Sequence, residues 1–445
     1  MNVIVLDEGS ETCKLGFAAD AAAGPAKVVP NYAVRQRNDR RMLVADQCAQ
    51  VTEYTSLLYR RPKDKGLVID WELETLVWSR MFGSPASVTS AATRGLLNSD
   101  AALADTALCL LESPLCPQGA QYMELALETH GFGAVHRSMS AAHAAALPAL
   151  DFPPTAAAIA SNASASANAS VEPPACALVV DAGFSGCSAV PVYRSRPIAS
   201  AVKRMDLGGK VLTNYLKDVL TYRQWDVMDE TYLVNDIKEK LCYVSLDFEG
   251  DLAKARVKRA ALNTIRREYV LPNNSTTFIG KVKPPRAIAD PATAAAAATA
   301  ASSNDNDDDE DEEHAIAVTN ERFSVPELLF RPQDIGYPQS GLAETVAAAV
   351  AAAPAELRGL LWGNIVLVGG CFNLPNAAER LLRDLRPHVP AEAALSVRQP
   401  ADPITAGWRA GARFAAQEGF VAQYCVTKAE WAEAGDSVVK RKFLV

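Results

Sequence analysis

Val3 to Leu6 is an unbroken apolar run that stops at Asp7, with Gly9 and Ser10 close behind. Ala177 to Val180 repeats the arrangement and stops at Asp181, ahead of Gly183 and Ser185. After each stop the pattern turns to alternation: Cys13, Leu15 and Phe17 in the first case, Val190 and Val192 in the second. An unbroken run reads as a strand covered on both faces, and alternation after a glycine turn reads as the returning arm of a hairpin. The repetition predicts a duplicated unit with one acid-glycine turn per half. A third run, Asn364 to Val368, ends in Gly369-Gly370. Between these runs the helical period takes over. Val234, Ile237, Leu241 and Val244 form one apolar stripe and predict a helix from about Tyr232 to Phe248. Lys238 and Glu239 lie off the stripe, free either to face a cleft or to sit on a solvated side. The alternation of strand and helix signals gives an α/β class.

Glycine turns expose consecutive backbone N–H groups, which make concave anion sites suited to phosphates. Two such turns face to face would clamp a polyphosphate. Asp7 and Asp181 at the strand ends would hold a divalent cation, usually through water. Gly369-Gly370 would admit a flat ligand such as a nucleoside. The pattern therefore implies a nucleotide cleft between two related domains; the plainer alternative is that both acids simply end strands.

The 445 residues allow about two domains, and 49% hydrophobic with 22% charged residues is ordinary for a globular chain. The net charge of −8 excludes a uniformly basic nucleic-acid binder. Eight acids fall within Asp305 to Glu313, so the remainder is near neutral. No apolar stretch of about 18 residues suggests a membrane span, and no secretory leader is expected. Nine scattered cysteines without a C-x-x-C pair read as reduced thiols of a cytosolic or nuclear protein. Asn162 and Asn168 then match the glycosylation pattern by chance. Residues 153–175 (Pro, Ala, Ser, Asn) and 284–315 (Ala-rich, then acidic) read as solvated linkers. The Ala run 294–301 lacks an apolar face and is expected to be disordered. The acidic run is either a solubilising loop or a contact for a basic partner such as a histone.

Several longer segments resemble actin. They are Asn235-Asp236-Ile237-Lys238-Glu239-Lys240-Leu241-Cys242-Tyr243-Val244-Ser245-Leu246-Asp247-Phe248, the stretch Asp206 to Thr213, Asn320 to Phe323 with Pro326 to Phe330, Leu111 to Leu115, and the tail Glu433 to Lys442. The resemblance covers the chain apart from the two low-complexity segments. Arg60 to Trp71, and Pro403-Ile404-Thr405 followed by Trp408, are similar to the sixth class of actin-related proteins. The loop within Pro30 to Pro62 is shorter than the filament-contact loop of actin.

The resemblance implies an actin-like ATPase fold: two related lobes with mixed sheets around a nucleotide cleft, in four subdomains. The outer lobe would span residues 1–152 with a small subdomain at 31–62, followed by the insert at 153–175. The inner lobe would span 176–405, with a smaller subdomain at 208–337 that carries an insert at 281–318. Residues 406–445 would return to the outer lobe. The implied ligand is ATP or ADP with magnesium. Asp7, Gly9, Ser10 and Lys14 would serve the first phosphate turn, and Asp181, Gly183 and Ser185 the second. Lys238, Glu239, Gly369, Gly370 and Leu374 would contact the nucleoside, and Asp7 and Asp181 would hold the metal through water. Ile404 stands where actin has a lysine beside the base.

Other departures fall at the phosphates. Glu8 replaces an amide and Glu11 a glycine, which adds negative charge. Phe184 replaces an acid, Ser188 a histidine near the attacking water, and Met139 a water-positioning glutamine on a helix between the turns. His136 and His143 are candidates to replace that function, or ordinary helix residues. The pattern implies nucleotide bound for structure with little or no hydrolysis. The class implies a nuclear protein, with some in the cytoplasm, in a remodeller that exchanges a variant histone into nucleosomes. Its partners there would be a motor subunit, a small zinc-binding subunit and nucleosomal histones, with no membrane and no polymer. The alternatives are a filament-forming cytoskeletal ATPase, and a sugar kinase or heat-shock chaperone, which would lack the Lys238-Glu239 helix.

Overall fold

The computed structural model describes residues 1–37, 40–51, 57–83, 95–97, 102–147, 176–257, 259, 262–272, 280–283 and 314–443. The expectations for 153–175, for the Ala run and for the acidic run lie outside them.

Both acid-ended runs are strands, and both turn back as predicted. Asn2–Glu8 pairs antiparallel with Thr12–Phe17, in a register that sets Asp7 opposite Lys14. Cys176–Ala182 pairs antiparallel with Cys187–Tyr193, and there Asp181 faces Ser188. In each half the first strand also has a parallel neighbour from later in the chain. Thr106–Glu112 flanks the first, and Ile365–Val368 flanks the second. The outer sheet runs Val426–Thr427, Ala134–Met139, Thr106–Glu112, Asn2–Glu8, Thr12–Phe17, Lys27–Pro30. The inner sheet runs Arg196–Pro197, Cys187–Tyr193, Cys176–Ala182, Ile365–Val368, Val397–Arg398, with Lys203–Met205 also on Cys187–Tyr193. Each lobe carries a further small three-stranded sheet. One is built from Ala33–Gln36, Leu43–Val44 and Leu57–Arg60, the other from Arg267–Val270, Lys281–Val282 and Ala315–Val318. The result is two related mixed-sheet lobes in four subdomains. The C-terminal strand Val426–Thr427 pairs with Ala134 and Val135, so the chain ends in the lobe where it began.

The lobes are joined at the floor by two short helices, Ser140–Ala144 and Ala406–Ala415. Ala141, Ala144, Ala406 and Ala410 pack with Val179, Val190, Val366 and Val368 of the inner sheet in one buried cluster. On the outer side Trp408 is fully buried, and its indole N–H donates to the Val5 carbonyl at 3.0 Å. A Cβ at Gly407 would stand 2.1 Å from the Ser140 hydroxyl, so glycine is what lets the helices cross this closely.

Two expectations need correction. The helix predicted over 232–248 spans Thr231–Leu241. Arg322 caps its end, donating to the Leu241 carbonyl at 2.8 Å. The chain then leaves the axis because the Tyr243 and Val244 amides bond to Arg322 and Pro375, each at 2.9 Å. Val244 is still fully buried, which explains why it continued the apolar stripe from outside the helix. Met139 and His136 are strand residues of Ala134–Met139, not helical ones; His143 is on Ser140–Ala144.

Neither histidine reaches the cleft. His136 Nδ1 lies 3.0 Å from the Tyr424 carbonyl, among Phe414, Phe420 and Phe443. His143 stacks on Phe414 at 4.5 Å and lies 2.7 Å from the Ser138 hydroxyl. Burial lowers His130 to about 4, His136 to about 4 and His143 to about 3, from 6.5. All three are neutral in the folded chain near pH 5 and protonated in the unfolded one. Their contribution to stability is therefore intact above pH 6.5 and is lost as pH falls toward 4. Each adds roughly 1.4 kcal/mol per pH unit to the acid slope over that window. We expect His136→Phe to flatten the fall in denaturation midpoint between pH 6.5 and 5; an unchanged slope would refute this.

Candidate functional site

One cleft of about 440 Å³ opens between the lobes. Every predicted site residue lines it: Asp7, Gly9, Ser10 and Lys14 from the first turn, Asp181, Gly183 and Ser185 from the second, Lys238 and Glu239, and Gly369, Gly370 and Leu374. They come from four separate stretches of chain, brought together by the facing ends of the two duplicated sheets.

The first turn is held from behind. Asn31 is fully buried; its side-chain amide donates to the Gly9 carbonyl at 2.9 Å, and its backbone N–H to the Glu11 carbonyl at 2.8 Å. Lys14 pairs with Asp7 at 3.4 Å. The second turn closes on itself through Gly183 N–H to the Gly186 carbonyl, 3.0 Å. The first amides of the Gly209–Arg223 helix pin it, Gly209 to the Gly183 carbonyl and Lys210 to that of Phe184. Gly369 has φ +99°, and a Cβ there would stand 2.6 Å from Asp181 Oδ1, so this position requires glycine. On the Thr231–Leu241 helix, Lys238 Nζ donates to Asn235 Oδ1 at 2.7 Å and Thr213 Oγ1 at 2.9 Å. Both partners are neutral oxygens, which hold the ammonium at the cleft wall without cancelling its charge.

The two added carboxylates have countercharges that the motifs did not reveal. Glu8 turns into the outer lobe, where Lys63 Nζ lies 3.0 Å from Oε2 and donates to its backbone carbonyl. The Trp78 indole N–H is shared between Glu8 Oε1 at 3.2 Å and Glu74 Oε1 at 3.1 Å. Burial pushes the Glu8 carboxyl up, but Lys63 together with hydrogen bonds to Glu74 and Tyr122 outweighs it, and the net shift is down. Burial and then Glu8 push Glu74 well up, so Glu74 keeps its proton. Glu11 is met by Arg61 at 2.8 Å. The repulsion expected from these replacements is thus largely neutralised within the protein. Lys63 and Arg61 escaped the sequence reading because their partners lie 55 and 50 positions away.

Ser140, not its neighbour Met139, lines the cleft, because Met139 ends its strand buried. Ser188, Phe184 and Ile404 also line it. Among the described lining residues there is no histidine. The floor carries Asp7 and Asp181 at the paired strand ends. Burial, and then the charge of Asp7, raise Asp181 from 3.8 to about 6, while Lys14 pulls the other way. The cleft can accept an anionic chain on the N–H groups of its two turns, with Asp181 and the Lys14-paired Asp7 beside it for a metal's water shell.

Across its length, the chain matches a profile of the family described as Actin, over residues 1–444. The chain belongs to the actin family. It is similar to Actin-related protein 6 of Oryza sativa subsp. indica, 37% identical over 454 residues that cover 99% of this chain and 98% of the relative. Actin-related protein 6 of Arabidopsis thaliana is 34% identical over 450 residues, 99% of each. Actin-like protein ARP6 of Cryptococcus neoformans var. neoformans is 33% identical over 446 residues, 99% of this chain and 84% of the relative. The sixth-class likeness read from Arg60 to Trp71 therefore extends over nearly the whole actin-family chain. Among the described residues no helix is long and apolar enough to cross a membrane.

The raised Asp181 gives a signed prediction. The folded chain keeps a proton that the unfolded chain loses above pH 3.8, so ligand-free stability falls as pH rises from about 4 to about 6 and stays lower above. Asp181→Asn should raise the ligand-free melting temperature at pH 7.5, by the equivalent of on the order of 1–3 kcal/mol. A lower melting temperature for this variant would contradict the assignment.

Proposed function

We propose that this actin-family chain is a nucleotide-braced structural subunit of a nuclear assembly that exchanges a variant histone into nucleosomes. The reading is carried by the convergence of two phosphate-type turns, one from each lobe, on a single cleft with Lys14, Asp7 and Asp181 at its floor. ATP or ADP with magnesium fits this donor set. Lys14 and the amides of both turns would take the phosphates, Asp7 and Asp181 the hydrated metal, and Lys238, Glu239, Gly370 and Leu374 the nucleoside. The metal would supply charge neutralisation between two acids that otherwise repel. Bound ligand would stabilise the folded state by mass action.

Turnover is not what the cleft is equipped for. Hydrolysis needs a positioned water and an aligned base, each worth roughly 10²-fold or more. Ser188 and Phe184 stand at the second turn, and His136 and His143 are engaged in an aromatic cluster on the far side of their strand and helix. The nuclear location, the motor and zinc-binding partners, and a salt-sensitive histone contact through residues 305–313 rest on the sixth-class likeness and on the charge of that segment.

Four measurements test the reading. Single-turnover incubation with radiolabelled ATP should release almost no phosphate; release at an actin-like rate would defeat the structural role. Lys14→Ala should lower Mg-ATP affinity at least tenfold, and unchanged affinity would remove Lys14 from the site. Tagged purification from nuclear extract should recover a remodelling motor, and deletion of residues 303–314 should weaken histone binding at low salt. Recovery of cytoskeletal partners alone would reopen the filament alternative.

A further inference from the structure

The lobes meet a second time at the mouth of the cleft, far along the chain from the floor helices. The contact is made by a short outer-lobe stretch, residues 61–65. Arg61 is its centre. The guanidinium carbon lies 5.1 Å from the Tyr32 ring centre and 5.3 Å from that of Tyr59, both in the outer lobe. It lies 4.9 Å from the ring centre of Phe184, in the second turn of the inner lobe. Its Nη2 donates to Glu11 Oε2 at 2.8 Å, which ties the stack to the first turn as well. Tyr32 and Tyr59 meet edge to face at 5.3 Å and rest on the buried cluster Val34, Cys48, Val51 and Leu57. The aromatic cage is thus part of a packed subdomain. Further along the stretch, Lys210 Nζ donates to Asp64 Oδ1 at 2.6 Å, and Arg204 donates to the Lys65 carbonyl, both from the inner lobe.

These crossings differ in weight. The Lys210–Asp64 pair is about 40% exposed on each side (38% and 44%), and such pairs contribute little. The Arg61 side chain is 15% exposed, and a desolvated guanidinium over an aromatic face is stronger. Glu11 and Phe184 line both the main cleft and a smaller cavity of about 150 Å³ behind it, so the Arg61 stack stands in the wall between the two. Opening the lobes at this side would have to pull Arg61 off Phe184.

We propose that Arg61 is an interlobe latch: stacked on Phe184 across the cleft mouth and paired with Glu11, it holds the lobes closed without help from any bound nucleotide. The closed form is then set by side chains outside the phosphate-binding groups, and ligand entry and exit are gated by breaking the stack. The inference needs only the two lobes and their hinge; it rests on the function proposed above solely for the identity of the ligand that is gated.

The test is amide hydrogen exchange on the full chain, stripped of nucleotide by chelator and desalting, with and without added Mg-ATP. The stripped wild type should protect residues 9–12 and 183–186 to within about twofold of the Mg-ATP sample. Stripped Arg61→Ala should exchange there on the order of tenfold faster, as expected for loss of one buried cation–π stack. The strand Ile365–Val368 should remain unchanged, which checks that the variant is folded. Phe184→Leu, made from the other lobe, should reproduce the effect, and the double variant should add little to either single one. Should Arg61→Ala fail to fold, Phe184→Leu and Arg61→Lys give the same comparison. The latch is overturned if the stripped wild type opens as far as the variants, or if the variants exchange like wild type. Indifference of every form to Mg-ATP would instead count against the nucleotide reading, and the stripped comparison would still decide the latch.

Discussion

Two helices cross at the base of this molecule with almost no side chain between them, and the cleft exists because they do. Ser140–Ala144 and Ala406–Ala415 present alanines to the inner sheet and meet each other where Gly407 lies against the Ser140 hydroxyl. Larger residues here would push the sheets apart and tilt the strand ends that carry Asp7 and Asp181 out of opposition. Trp408 fixes the same helix to the outer sheet through the Val5 carbonyl, two residues before Asp7 on the same strand. Close packing of these floor helices thus sets the distance between the charged groups on the cleft floor. Interiors packed to crystal-like density transmit such displacements rather than absorb them.

The acidic character of the turns is understandable in the same frame. Glu8 and Glu11 add two negative charges where an anion would lie. The protein answers with Lys63 behind the first turn and Arg61 beside it, so the sum at each position is near zero. The two solutions differ in kind. Glu8, Lys63, Glu74 and Trp78 are sealed in the outer lobe and bind one subdomain to its own turn. Glu11 and Arg61 lie at the boundary and bind one lobe to the other through Phe184. Substitutions that look like damage to a binding site are, in three dimensions, parts of two anchoring networks.

The sequence disclosed the duplicated strand-turn-strand units because their signal is local: an apolar run, an acid, a glycine and a change of period within fifteen or so residues. It disclosed the cleft residues for the same reason, once two such units were placed face to face. It misplaced the end of the Thr231–Leu241 helix because Val244 is buried just as a helical residue would be, by contacts to segments about 80 and 130 positions later. The Lys63 and Arg61 anchors were invisible because single basic residues in a loop carry no pattern. Met139 reads as helical because strand and helix meet there without a break, and a shift of one residue exchanges a buried side chain for one at the cleft.

Trp78 gives the molecule a built-in optical gauge. Its indole is completely excluded from solvent, its N–H is bonded to Glu8 at the edge of the first turn, and its ring lies 5.7 Å from that of His130. Indole emission shifts to the blue when water is absent and dims beside a protonated imidazole. A disturbance of the first turn would therefore change the emission of Trp78, one of the chain's six tryptophans.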